Sequence, residues 1–104
     1  MPRFVKAASI DEVKEQRGLR VELHGKELAI FKRGTEYFAI GNVCAHQHFS
    51  VLHEGHLDGL TVQCPMHGWK YDLRTGRSVE GSGRVPRYVV EIRGTDLYIE
   101  MDDE

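Results

Sequence analysis

The most informative stretch of the sequence reads Cys64-Pro65-Met66-His67-Gly68-Trp69-Lys70-Tyr71-Asp72. It opens with a thiol and an imidazole, and a similar pair, Cys44-x-His46, lies upstream across residues 47–63. Each pair follows a strand-like segment in a turn-like context, so loops at the ends of adjacent strands can bring all four side chains to one point. Thiolate and imidazole suit zinc, copper and iron–sulfur centres, whereas hard cations prefer oxygen. The sequence therefore predicts a metal centre held by Cys44, His46, Cys64 and His67.

Spacing alone leaves two kinds of centre open. A structural zinc site can use two cysteines and two histidines, but zinc-finger spacing pairs cysteine with cysteine and histidine with histidine. A two-iron, two-sulfide centre can carry both thiolates on one iron and both imidazoles on the other. Each loop must then supply one ligand of each kind, and the mixed pairs of this sequence do so. The spacing therefore favours the iron–sulfur centre over zinc.

Length and charge narrow the class of protein. The chain has 104 residues, which is the size of one domain, and its formal net charge is −2. That balance indicates no affinity for nucleic acid or for an anionic membrane. No apolar run is long enough for a transmembrane helix, and the N-terminus lacks a secretory signal. Two cysteines cannot form a disulfide framework. We expect a cytoplasmic monomer that forms a single domain over residues 1–104.

Short apolar or alternating runs separated by turn signals predict an all-β fold, a small antiparallel sandwich. The expected strands are Phe4–Ala7, Leu19–Leu23, Leu28–Lys32, Tyr37–Ile40, Leu60–Gln63, Tyr88–Ile92 and Leu97–Met101. Only Ile10–Gln16 looks helical, with Ser9 as its cap and Glu12 as the capping-box partner. Residues 42–83 hold both cysteines and five of the six histidines. We expect this segment to form an inserted subdomain that carries the site.

The residues around the two pairs resemble those of Rieske proteins. Cys44-Ala45-His46-Gln47 and Leu52-His53-Glu54-Gly55 resemble the first cluster-binding loop, and residues 64–72 with Thr75-Gly76 resemble the second. The likeness covers nearly the whole chain, whose length is similar to that of a free-standing Rieske-type ferredoxin. It implies an antiparallel β-sandwich with a small cluster-binding subdomain and one [2Fe-2S] cluster. By this resemblance Cys44 and Cys64 bind the inner iron, and His46 and His67 bind the outer iron.

The same resemblance implies a role. A chain of this kind is a one-electron carrier rather than an enzyme, and similar ferredoxins pass electrons from a flavin-dependent reductase to an oxygenase. An alternative is the Rieske-like small subunit of a larger oxidoreductase, such as an NAD(P)H-dependent nitrite reductase. A third hypothesis is a structural zinc module without redox function. The expected partners of the carrier are a reductase donor and an oxygenase or other acceptor.

Four residues are candidates for shaping the surroundings of the cluster, namely His48, Gly68, Trp69 and Tyr71. His48 stands where many relatives have glycine, and Trp69 stands where high-potential members have serine. Tyr71 occupies the family's tyrosine position, and Gly68 allows the loop to wrap closely. High-potential respiratory members also carry an extra cysteine in each loop, where this sequence has Phe49 and Met66. The missing serine hydroxyl and the missing cysteines predict a reduction potential towards the low end of roughly −150 to +300 mV. His53 and His56 are expected at the surface or in packing.

Overall fold

The computed structural model describes residues 2–15, 17–43, 51–65, 69–79 and 83–102. Within these ranges the chain forms ten strands and two single-turn 3₁₀ helices. The strands are β1 (Pro2–Ser9), β2 (Leu19–Leu23), β3 (Lys26–Arg33), β4 (Glu36–Gly41), β5 (His56–Asp58), β6 (Thr61–Gln63), β7 (Lys70–Asp72), β8 (Arg87–Tyr88), β9 (Val90–Arg93) and β10 (Asp96–Asp102). The 3₁₀ helices are Ile10–Glu12 and Leu52–Glu54. None of the helices in the described ranges has the length and apolar character needed to cross a membrane.

The strands form three antiparallel sheets. Their orders are β1-β10-β9, β2-β3-β4-β8 and β5-β6-β7. The four-stranded sheet lies in the middle and contributes to a buried core on each of its faces. Leu28 and Ile30 of β3 pack with Leu97 and Ile99 of β10. Because successive side chains of a strand point to opposite faces, the intervening β3 residues lie in the other core.

That other core lies between the four-stranded sheet and the β5-β6-β7 sheet, and we call it the site core. Its buried members are Ala29, Phe31, Ile40, Leu52, Leu57, Val62, Cys64, Tyr71, Leu73 and Val85. Val62 and Tyr71 face each other across the β6–β7 pair. A central sheet covered on both faces explains why Leu28 to Phe31 form an uninterrupted buried run. The second predicted ligand pair follows β6, at the edge of this core.

The all-β prediction is confirmed, and each predicted strand overlaps an observed one. The predicted helix Ile10–Gln16 was too long: helical structure ends at Glu12, and Gln16 lies outside the described residues. Val13 is extended and buried, because its side chain joins the core beneath β10. The capping contact does form, since Ser9 N donates to Glu12 Oε1 at 2.8 Å. Strands β5 and β7 were not predicted, because a three-residue strand shows almost no periodicity.

Candidate metal centre

Cys64 is the one predicted ligand that lies in the described part of the chain. Cys44, His46 and His67 lie outside it, as do His48 and Gly68. Cys64 comes directly after β6 and is 1% exposed. Its neighbours in the site core include Tyr71 and Leu52, which are both fully buried. A thiol in this position is shielded from water by apolar side chains.

The second ligand loop is closed at its base by a backbone hydrogen bond. Cys64 N donates to Trp69 O at 2.7 Å. The next pair along β6 and β7, moving away from the loop, is Gln63 with Lys70. Residues 65–68 therefore connect two strands whose register is fixed. Trp69 is partly buried and packs against the site core. Cys64 is held at the foot of this loop.

The first ligand loop is closed at its base by Asn42, which follows β4 and is fully buried. Its backbone N–H donates to Glu27 O at 3.0 Å, and its own carbonyl oxygen accepts from Leu52 N at 3.2 Å. The Asn42 side chain adds a second bridge, since Oδ1 accepts from His53 N at 2.6 Å. His53 Nδ1 lies 3.2 Å from the same oxygen. Residues 43 and 51 therefore start and end a loop whose two ends are tied together.

The two loop bases lie side by side. Gly55, just after the 3₁₀ helix Leu52–Glu54, is pressed against β6, because a Cβ at this position would stand 2.5 Å from Gln63 O and 2.6 Å from Val62 Cγ2. Only glycine allows this approach. Leu52, at the end of the first loop, belongs to the same buried core as Cys64, at the start of the second. The structure thus brings together the bases of both loops that carry the predicted ligands.

Asn42 was missed by sequence reasoning. Its Nδ2 is buried and has no hydrogen-bond partner among the described residues, and an unsatisfied buried amide costs about 1–3 kcal/mol. The available signals were its position, two residues before Cys44, and its uniqueness as the sole asparagine of the chain. His53 is half-buried and bonded to Asn42, which agrees with a packing role. A buried thiol and a buried donor without an acceptor fit a cofactor that contains sulfur.

The turn below the second loop is braced by Asp72, the last residue of β7. Asp72 Oδ1 accepts from Arg74 N at 2.7 Å, and Oδ2 lies 2.9 Å from Arg74 Nη2. The hydrogen bond from the Arg74 side chain is the main cause of the lowered pKa of Asp72, and burial opposes it. The Asp72 carbonyl oxygen also accepts from Gly76 N at 2.7 Å. This turn sets the direction in which the chain leaves the site core.

Within the described ranges, no three His, Cys, Asp or Glu side chains are grouped so that they could hold a metal ion. Three of the four predicted ligands lie outside those ranges, so the ligand set itself stays a prediction. What the described residues provide is the foundation of the site. It consists of one buried thiol, two closed loop bases and an apolar core beneath them.

Comparison with known proteins identifies the class. The Rieske [2Fe-2S] domain profile matches residues 3–91, and the chain belongs to this family. The biphenyl dioxygenase ferredoxin subunit of Pseudomonas sp. (strain KKS102) is 34% identical over 100 residues, which cover 94% of this chain and 92% of the relative. These matches confirm the expected [2Fe-2S] cofactor and the class of electron carrier.

Two solved structures show the same architecture. The ferredoxin of carbazole 1,9a-dioxygenase from Nocardioides aromaticivorans IC177 has a TM-score of 0.85 and 27% identity, covering 92% of this chain and 95% of that one. A protein assigned as an NADH-dependent nitrite reductase small subunit, from Mycobacterium tuberculosis, has a TM-score of 0.92 and 20% identity. That match covers 100% of this chain and 99% of the other. At 20% identity the second likeness shows the fold alone.

Proposed function

We propose that this protein is the ferredoxin of an oxygenase system, which takes single electrons from a flavin-dependent reductase and delivers them to the oxygenase. The observation that carries the proposal is the pair of closed loop bases at the site core, with the buried Cys64 at the foot of the second loop. The ferredoxin relatives are named as components of dioxygenase systems, which supports the choice of partners. The chain is proposed to act as a cytoplasmic monomer.

The proposed ligands are Cys44 and Cys64 on the inner iron and His46 and His67 on the outer iron. When bound, the cluster supplies a one-electron couple. The two thiolates balance the charge of the ferric core, and neutral imidazoles add none. A centre with this donor set accepts an electron more readily than one with four thiolates, which accounts for its higher range of potentials. Leu52 and Tyr71 cover the Cys64 side of the site and keep water from it.

Residues 42–83 are proposed to form the cluster-binding subdomain within the single domain 1–104. The β5-β6-β7 sheet and the 3₁₀ helix Leu52–Glu54 lie wholly inside this segment. The segment leaves the four-stranded sheet after Gly41 and approaches it again where Gly41 N donates to Pro86 O at 2.8 Å. Both ends are thus fixed to the same part of the larger sheet.

Metal content and spectroscopy test the proposed centre. Protein purified without oxygen should contain iron and acid-labile sulfide in equal amounts, and after dithionite reduction it should give the EPR spectrum of a histidine-ligated cluster. Replacing His67 with alanine should abolish that spectrum. The matched control is His56→Ala, because His56 is exposed on β5 and should leave the spectrum unchanged. Zinc without iron, or an equal effect of both substitutions, would contradict the proposed centre.

The relatives favour a free carrier over a bound subunit. The matches that reach 27% identity or more, quoted above, are dioxygenase ferredoxins, whereas the nitrite reductase subunit resembles this chain only in fold. We therefore expect the native protein to migrate as a free chain and to be reduced by NADH in the presence of a flavin-dependent reductase. Recovery in a stoichiometric complex with a large reductase subunit would overturn the carrier role while leaving the cluster assignment intact.

A further inference from the structure

The carboxamide of Asn42 has two ends that the structure distinguishes. The backbone N–H of His53 can only donate, so the atom 2.6 Å from it must be the oxygen. The ring Nδ1 of His53 lies 3.2 Å from the same oxygen, which can only accept, so the tautomer protonated at Nδ1 makes a second hydrogen bond to it. The amide nitrogen is then the other end of the side chain. It brings two N–H donors into the interior beside the first ligand loop.

Nδ2 lies in an environment where a donor is expected to have an acceptor. Asn42 has no exposed surface, and no residue in the described part of the chain offers its Nδ2 a hydrogen-bond acceptor. The great majority of buried side-chain polar groups have a hydrogen-bond partner, so an acceptor that belongs to the bound cofactor would satisfy this amide. Asn42 stands two residues before Cys44, and the loop that carries Cys44 is closed by the same side chain.

We propose that Asn42 Nδ2 donates a hydrogen bond to a sulfur atom of the [2Fe-2S] site and thereby raises its reduction potential. This inference rests on the proposed function. Adding an electron makes the sulfurs more negative, so a donor stabilises the reduced state more than the oxidised state. Hydrogen bonds to the sulfurs are one of the features that set the potential of such centres. Asn42 thus fixes the loop base through Oδ1 and contacts the cofactor through Nδ2.

The sequence permits a direct test, because Asn42 is the only asparagine in the chain. Protein made with asparagine carrying ¹⁵N at the side-chain amide holds a single labelled nitrogen, while every histidine nitrogen stays ¹⁴N. Pulsed EPR of the dithionite-reduced wild type should then show a ¹⁵N coupling that unlabelled protein lacks. A normal reduced-cluster spectrum without that coupling would overturn the inference. Absence of any reduced-cluster spectrum would instead count against the proposed function.

Two substitutions test the effect on the potential. Asn42→Asp keeps the oxygen that bonds His53 and loses the donor, and Asn42→Ala loses both groups without adding charge. Protein-film voltammetry should give a lower potential for both variants than for wild type. His56→Ala, which changes an exposed side chain, should keep the wild-type potential. A fall in Asn42→Asp alone would be an effect of charge and would contradict the hydrogen bond. If Asn42→Ala loses its cluster, the labelled wild type still decides the matter.

Discussion

Asp72 connects the site core to the turn that follows β7. Its carboxylate accepts from the backbone and the side chain of Arg74, and its carbonyl oxygen accepts from Gly76 N. The carboxylate is mostly shielded, with 17% of the side chain exposed, whereas the Arg74 side chain is 60% exposed. The contact to the backbone N–H is therefore less screened by solvent than the ion pair. We expect the charged form of Asp72 to stabilise this turn.

The lowered pKa of Asp72 gives this contribution a definite dependence on pH. A carboxyl group whose pKa is lower in the folded state stabilises the protein above its unfolded pKa of about 3.9. That stabilisation is lost as the pH falls through the folded value. Asp72→Asn should therefore lower the free energy of unfolding at pH 7, and the difference from wild type should narrow in acid. Urea unfolding of both proteins over a pH series measures it, and a difference that stays constant into acid would contradict the prediction.

Gly76 is required both by its backbone conformation and by its surroundings. Its φ is +79°, and a Cβ would collide with the carbonyl oxygen of Val85. Gly25 has nearly the same φ, +78°, but its Cβ would have no neighbour within 4 Å. Gly25→Ala should then cost only the left-handed strain of about 1–2 kcal/mol. Gly76→Ala should cost roughly 2–5 kcal/mol, because overpacking adds to that strain. Denaturant unfolding of the two variants makes the comparison, and equal costs would contradict it.

The sequence alone predicts those site residues whose side chains are themselves metal ligands. Thiols and imidazoles in mixed pairs indicate a metal centre through their donor atoms and spacing alone. Asn42 gave no such signal, because an asparagine after a strand is typical of an ordinary turn. Its importance depends on complete burial and on two contacts to residues 52 and 53. Those facts arise from tertiary packing, which a pattern of residue types does not contain.

At the scale of elements, strand length separates what could be predicted from what could not. β3 and β10 span eight and seven residues, and their alternating or apolar runs predict them directly. β5 and β7 span three residues each and bury only their central side chains, Leu57 and Tyr71. A single buried position gives no period, so these strands exist through pairing with β6 rather than through their own pattern. β7 and its partner β6 flank the second ligand loop, and β5 pairs with the other edge of β6.

The two cores should respond differently to loss of a buried leucine. Leu52 lies in the site core, and Leu97 lies in the core between the β1-β10-β9 sheet and the four-stranded sheet; both are fully buried. Leu52→Ala and Leu97→Ala should each lower the free energy of unfolding by about 2–5 kcal/mol. Only Leu52→Ala should speed loss of the cluster at temperatures where both variants stay folded, because Leu52 supports the first ligand loop. Visible absorbance followed over time measures that loss, and equal rates would show that global stability alone controls it.

At the scale of the whole molecule, the core beneath the β1-β10-β9 sheet and the contacts that hold the ligand loops involve different residues. Side chains of β1 and β10 pack against the face of β3 that carries Leu28 and Ile30. None of the described residues of the proposed ligand loops belongs to this core. Within the described ranges, the backbone N–H groups of Leu52, His53 and Cys64 donate the hydrogen bonds that close the two loops across their bases. Regions joined by few contacts open with a lower free energy than core strands. The cluster should therefore stabilise the loop bases far more than it stabilises the core between the β1-β10-β9 sheet and the four-stranded sheet.

Removal of the cluster by a chelator under reducing conditions tests this division. Because the bound cofactor would crosslink both loops, its loss should release their bases and expose the amides of Leu52, His53 and Cys64 to solvent. Hydrogen exchange at these three amides should rise by at least about tenfold, which corresponds to about 1.4 kcal/mol of lost protection. Amides of Ile30 and Ile99, in the other core, should keep their protection. Equal loss at all five positions would mean that the whole fold depends on the cluster, and no loss at the loop bases would remove the cluster from the place proposed for it.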